Sequence, residues 1–268
     1  TGIAALALFA TVIGCQSDDT NGSNSNGDAD KVILNSDINA LNQRINFSNS
    51  GVLDMVGATS GKMTGAASDF PLTLVAEINA PTYNGHTLRA THVDVANQYA
   101  YVSYNTEGET YLGAIDVINI SNPNNPQLVV QAIFPNSDIS AVSYNNGELF
   151  IAGATSIDSN PALTSPAFAA KMPLQNGLLT TNYTPNTILG NVATDIFANS
   201  SKYYAVSVNN GELVRYNKSN NTFEASIPVS DLRALGSTNN KIVVLSGTQG
   251  VKVYDQNSFA LQTSFATS

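Results

Sequence analysis

Tryptophan is absent from this chain of 268 residues, and there is one cysteine and there are two histidines. A lone Cys15 excludes an intrachain disulfide. His86 and His92 are too few to make a metal site by themselves, and no third ligand stands at a telling spacing. No Gly-x-Ser-x-Gly elbow and no His-x-x-x-His pattern occurs, so two common hydrolase signatures are missing. The loop Gly57-Ala58-Thr59-Ser60-Gly61-Lys62 is one residue short of a phosphate loop, and Met63 replaces the hydroxyl that would hold magnesium. No cofactor or metal is therefore expected. Cations are scarce too: eleven Lys and Arg against twenty Asp and Glu leave a net charge of −9, with no run of basic residues. Nucleic acid and anionic lipid surfaces both need a basic footprint, so neither is an expected partner. Without Trp a sugar-stacking platform would fall to the eleven Tyr.

What the chain does have is short runs of β-branched and aromatic residues bounded by Gly, Asn, Ser and Pro, the mark of strands. The runs repeat. Gln98 to Ser103 is echoed by Glu148 to Ala152, Lys202 to Ser207 and Lys241 to Ser246, each after a tight polar turn. A following strand recurs as Gly113 to Ile120, Ala167 to Ala170, Gly211 to Tyr216 and Gly250 to Tyr254. A further one recurs as Gln127 to Val130, Leu178 to Thr180, Phe223 to Ile227 and Phe259 to Thr263. In front of each unit sits an inner strand: Leu88 to Val95, Ile139 to Tyr144, Ala193 to Phe197 and Leu232 to Gly236. Four strands per unit, with starts about 40 to 55 residues apart, is the period of a β-propeller blade. The expected fold is an all-β propeller with regular blades over 88–134, 138–184, 192–228 and 231–268.

Asn97-Gln98-Tyr99-Ala100-Tyr101-Val102, followed by Ile118-Asn119-Ile120-Ser121-Asn122-Pro123-Asn124-Asn125-Pro126, resembles the LVIVD repeat, a propeller-blade motif of bacterial surface and secreted proteins. The likeness covers one unit. The later units keep the strand spacing and lack the Ser-Asn-Pro turn, so they look like diverged blades. The resemblance implies the propeller fold and an extracytoplasmic setting, and it brings no catalytic residues.

Thr1 to Gly14 is almost wholly apolar. It is too short for a bilayer core of about 30 Å and suits the hydrophobic part of a signal peptide. Gly14 directly before Cys15 resembles the lipobox of bacterial lipoproteins, which implies cleavage between them and a lipid on Cys15; the alternative is a core element that happens to contain Cys. Acyl chains, at about 0.8 kcal/mol per buried methylene, would hold the protein on a membrane. Gln16-Ser17-Asp18-Asp19 resembles the signal that sends some Gram-negative lipoproteins to the cell surface, the alternative being the start of an acidic linker. Residues 15–30 read as a flexible Asn/Ser/Asp/Gly tether.

Residues 31–80 are less regular. Val32 to Leu34, Arg44 to Phe47, Val52 to Val56 and Pro71 to Ile78 could make an irregular first blade, or a leader that contributes only Leu72 to Ile78. A propeller must close to protect its edges. Four regular blades plus one irregular blade suggest part of a longer chain, against a small closed propeller of four or five blades.

The chemistry candidates are few. Spacing places His92 where the other inner strands carry Val142, Ile196 and Leu235, so one reading is a hydrogen-bonded histidine between blades. The sharper reading pairs it with Asp94, two residues on and on the same strand face, as a channel pair for acid/base or metal chemistry. Asp116, Asp195 and Asp231 lie in or beside different strands, and spacing does not say whether any two approach. The expected function is a binding or scaffolding module. Its loops, such as Asn105 to Thr110 and Ser156 to Pro166, would meet a protein or glycan partner while Cys15 anchors it to the outer membrane. The competing class is a propeller enzyme of the lyase, hydrolase or quinoprotein type.

Overall fold

The computed structural model describes residues 32–48, 51–53, 72–108, 110–158 and 163–266. Gly14, Cys15 and the tether lie outside the described residues. The chain opens with β1 (Ile33–Asn35), α1 (Ile38–Asn42), β2 (Ile45–Asn46), β3 (Gly51–Leu53), β4 (Leu72–Leu74), β5 (Glu77–Ile78), β6 (Thr82–Tyr83) and β7 (His86–Thr87). Four antiparallel meanders follow. The first is β8 (Arg89–Ala96), β9 (Tyr99–Asn105), β10 (Gly113–Asn119) and β11 (Gln127–Phe134); the second is β12 (Ser137–Asn145), β13 (Glu148–Thr155), β14 (Ala167–Pro173) and β15 (Thr184–Thr187). The third is β16 (Ala193–Ala198), β17 (Lys202–Ser207), β18 (Glu212–Asn217) and β19 (Thr222–Pro228), and the fourth is β20 (Leu232–Thr238), β21 (Lys241–Ser246), β22 (Gly250–Asp255) and β23 (Leu261–Phe265).

Each meander is one sheet with its strands in chain order, and the innermost strands of the second, third and fourth, β12, β16 and β20, each pack against the sheet before. This is a β-propeller arrangement. The turns follow residue chemistry: Asn146 (φ 49°) and Gly147 (φ 81°) join β12 to β13 in two residues with positive φ, the hairpin geometry that matches strand twist. Asx turns close the third strands: Asn119, Asn217 and Asp255, each the last residue of its strand, accept amides two residues on with Oδ1.

The core lies between sheets. Tyr101, Ile115 and Val117 of the first sheet meet Val142, Leu149 and Ile151 of the second; Phe150 and Ala152 meet Ile196 and Tyr203; Tyr204 and Val206 meet Leu232 and Val244. Tyr101 is fully buried, stacks on Tyr144 at 5.7 Å, and donates its hydroxyl to the Gly177 carbonyl.

Every inner strand carries one bulge at the same place. Thr91, Ser140, Thr194 and Arg233 are skipped by the ladder to the second strand. Beyond the bulge, side chains alternate: Val142, Ile196 and Leu235 point back to the preceding sheet, whereas Ala141 packs forward.

Three expectations change. No four-stranded blade forms among the described residues of 31–80. Instead β1 pairs with β11 as a fifth, outermost strand of the first sheet, while β2 pairs with β5 and β3 with β4 as two-stranded ribbons. Leu41 of α1, with Ile45 and Ile78, covers Ala100, Ile118 and Leu128, so this segment caps the back of the first sheet. Its pin is Arg44, whose guanidinium grips the fully buried Asp116 through both carboxylate oxygens at 3.1 and 2.5 Å while Gln131 donates to the same group. Second, the outer strand of the second sheet is β15, not Leu178 to Thr180. Third, the inner-strand alignment shifts by one residue. Gln98 lies in the turn and Tyr99 opens β9, so His92 is equivalent to Ala141, Asp195 and Ala234 rather than to Val142, Ile196 and Leu235.

Candidate functional site

His92 and Asp94 lie two apart on β8 and share a face, as their spacing requires. They do different things. The Asp94 carboxylate accepts the Tyr144 amide at 2.5 Å, reaching across to the free edge of the next inner strand. His92 is exposed on the inner wall.

The third sheet repeats the device. Asp195 accepts the Leu235 amide at 2.8 Å and its neighbour Ile196 at 2.8 Å. The bulge residues join in: Thr91 donates its hydroxyl to the Ile139 carbonyl at 2.9 Å, and Thr194 donates to the Leu232 carbonyl at 3.1 Å. An inner strand has a ladder partner on one side only, so its other amides and carbonyls need water or a side chain. Thr and Asp from the preceding blade supply that need at the first-to-second and third-to-fourth junctions. Burial raises the Asp195 carboxyl above its ordinary value, opposed by the two amides and by the charge of His92.

At the end carrying the connections between second and third strands, the carboxylate of Asp138 accepts the Leu112 amide at 3.2 Å and the Thr106 hydroxyl at 3.4 Å. Burial pushes its pKa up to about 6, against those bonds and the charge of Arg89. Of the loops expected to recognise a partner, 105–108, 110, 156–158 and 163–166 fall among the described residues; Thr106 also bonds the Thr110 carbonyl, and Arg89 pairs with Glu107 at 2.8 Å on the surface.

The opposite end, where first strands turn into second strands, holds a cleft of about 310 Å³ between the second and third sheets, lined by Glu148, Ser200, Ser201, Lys202, Asn217, Lys218 and Ser219. Glu148 sits between two ammonium groups, Lys171 at 3.1 Å and Lys218 at 3.2 Å. Lys218 is buried; its Nζ also donates to the Asn145 side chain at 2.6 Å and lies 5.7 Å over the Phe150 ring. Behind Lys202 stands Glu224, which pairs with it and accepts Arg215 Nε at 2.9 Å. Burial works against the Glu224 charge, but the Lys202 hydrogen bond and the positive charges of Lys202 and Arg215 hold its pKa below the ordinary value. Arg215 itself faces away, donating to the Gln256 and Asn257 carbonyls and lying 4.7 Å over Phe259. Sequence reasoning missed this site because its cations are scattered over three strands and a turn. Among the described residues no group of three His, Cys, Asp or Glu is placed to hold a metal ion.

No family model matches the chain, and no curated protein matches it. Among solved structures, it is similar to the computationally designed protein Ika4, at 12% identity over 65% of this chain and 95% of that one, with a TM-score of 0.44. The computationally designed Ika8 is similar at 10% identity, over 68% of this chain and 50% of that one, with a TM-score of 0.43. AztD of Citrobacter koseri is similar at 13% identity, over 66% of this chain and 47% of that one, with a TM-score of 0.42.

Proposed function

We propose that this chain is an exported lipoprotein, anchored through Cys15 to a bacterial outer membrane, whose propeller serves as a binding or scaffolding module for a protein or glycan partner. One observation carries the preference for binding over catalysis: Asp94 and Asp195 are each engaged by a backbone amide of the next blade. A carboxylate that holds two blades together is a poor general acid or base, because moving a proton on or off it would loosen the junction. The polar cleft and the loops lie instead at the rims, where a large partner has access.

The anchor is tested by changing Cys15 to Ala; release from the membrane fraction is the expected result, and retention there overturns the lipobox reading. Binding is tested by displaying the full chain to glycan and surface-protein arrays. The enzyme reading keeps one observation in its favour, the partly buried Asp195, whose carboxyl burial raises above its ordinary value. Depolymerisation of an arrayed glycan, abolished by Asp195→Asn, would replace the binding reading with it.

A further inference from the structure

The cleft between the second and third sheets points to a ligand class. It gathers Lys171, Lys202, Arg215 and Lys218, four of the eleven basic residues in the whole chain, around two of its twenty acids, Glu148 and Glu224. In the lining itself Lys202 and Lys218 face Glu148, an excess of one positive charge in a molecule whose net charge is −9. Such a local reversal of sign draws anions to that spot and away from the rest of the surface.

The chemistry of the lining narrows the anion. Ser200 and Ser201 offer hydroxyls that both donate and accept, the pattern that recognises hydroxyl groups rather than a bare ion, while Asn217 Oδ1 takes the Ser219 amide and hydroxyl. Arg215, the residue best shaped to clamp a phosphate with two parallel bonds, is turned away onto Phe259 and two carbonyls. Each lysine already has a carboxylate neighbour, which leaves a modest surplus suited to a monoanion. The volume, about 310 Å³, lies at the small end of ligand pockets. Lys218 spends its three ammonium protons on the Asn145 carbonyl, the Asn145 side chain and Glu148, so it contributes positive charge rather than a free donor.

We propose that this cleft binds a small hydroxylated carboxylate, a sugar acid, with its carboxylate against Lys202, the buried charge of Lys218 behind it, and its hydroxyls against Ser200 and Ser201. This rests on the reading of the chain as a binding module and gives that module one ligand class. Calorimetric titration of the full chain with glucuronate, glucose and acetate, at low and high salt, tests it. Glucuronate binds at least about tenfold more tightly than either control, since it alone supplies both the charge and the hydroxyls, and salt weakens it. Lys202→Gln lowers that affinity about tenfold, and Ser200→Tyr, which fills the mouth, removes it; melting curves confirm that both variants fold. Equal affinity for glucose and glucuronate, indifference to both substitutions, or no binding of glucuronate overturns the proposal, while capture of other glycans or proteins on the arrays would still uphold the binding module. Glucuronate bound and chemically altered would instead sink the binding reading and keep the site.

Discussion

Replacing Asp138 by asparagine removes a charge that folding has to strip of water. The carboxyl titrates near 3.8 in an open chain and at about 6 in the folded protein, so the native state holds its proton more tightly than the unfolded state does. The sign follows from linkage: the favourable contribution is full below about pH 4 and disappears as pH rises through about 6. A difference of about two units is worth about 3 kcal/mol at 1.36 kcal/mol per unit, and partial access to solvent reduces this to about 1–2 kcal/mol at neutral pH. Asparagine keeps Oδ1 as the acceptor for the Leu112 amide and the Thr106 hydroxyl. Urea unfolding at acid and neutral pH reads the effect through the midpoint at constant slope. Asp138→Asn is more stable than the parent at neutral pH by about that amount, equal to it below pH 4, and flatter in between. A variant that is less stable at neutral pH, or that keeps the parent's pH slope, refutes the argument and shows that the two hydrogen bonds outweigh the lost hydration.

Two other substitutions probe the polar ties. Arg44→Met leaves the Asp116 carboxylate buried with only the Gln131 amide and the Tyr104 hydroxyl for company and costs about 3–5 kcal/mol in denaturant unfolding, and adding Asp116→Leu to it recovers much of the loss. Asp195→Ala orphans the Leu235 amide at the third-to-fourth junction; hydrogen exchange at Leu235 speeds up markedly and stability falls by about 1–3 kcal/mol, whereas amides of the first two blades keep their protection.

Strand positions were legible because β-branched runs and Asn-rich turns are local signals. Thus Lys202 to Ser207 and Lys241 to Ser246 begin and end where the sequence pattern places them. The outer strand of the second sheet was not. Thr184-Pro185-Asn186-Thr187 is polar, contains a proline and forms an edge, which tolerates both features; the apolar pair Leu178-Leu179 attracted the prediction, yet a tight turn at Asn176-Gly177 sends Leu179 into the core. The equivalence of His92 and Asp195 was hidden by one turn residue, Gln98, because a single step of register reverses which face every later side chain takes. The roles of Asp94 and Asp195 could not be read at all, since their partners are unpaired amides about 40 to 50 residues away whose need arises only when two blades stand side by side.

The position of β1 bears on how the anchored molecule would sit. As the outermost strand of the first sheet, it brings the chain in at the periphery, far from the inner wall. On the proposed anchoring through Cys15, the sixteen residues 16–31 could span at most about 55–60 Å before the chain enters at that edge. A rim attachment works as a swivel rather than a pedestal. On the proposed anchoring, neither end of the propeller would be pressed against the membrane, and the cleft at one end and the loops at the other would both stay open to solvent.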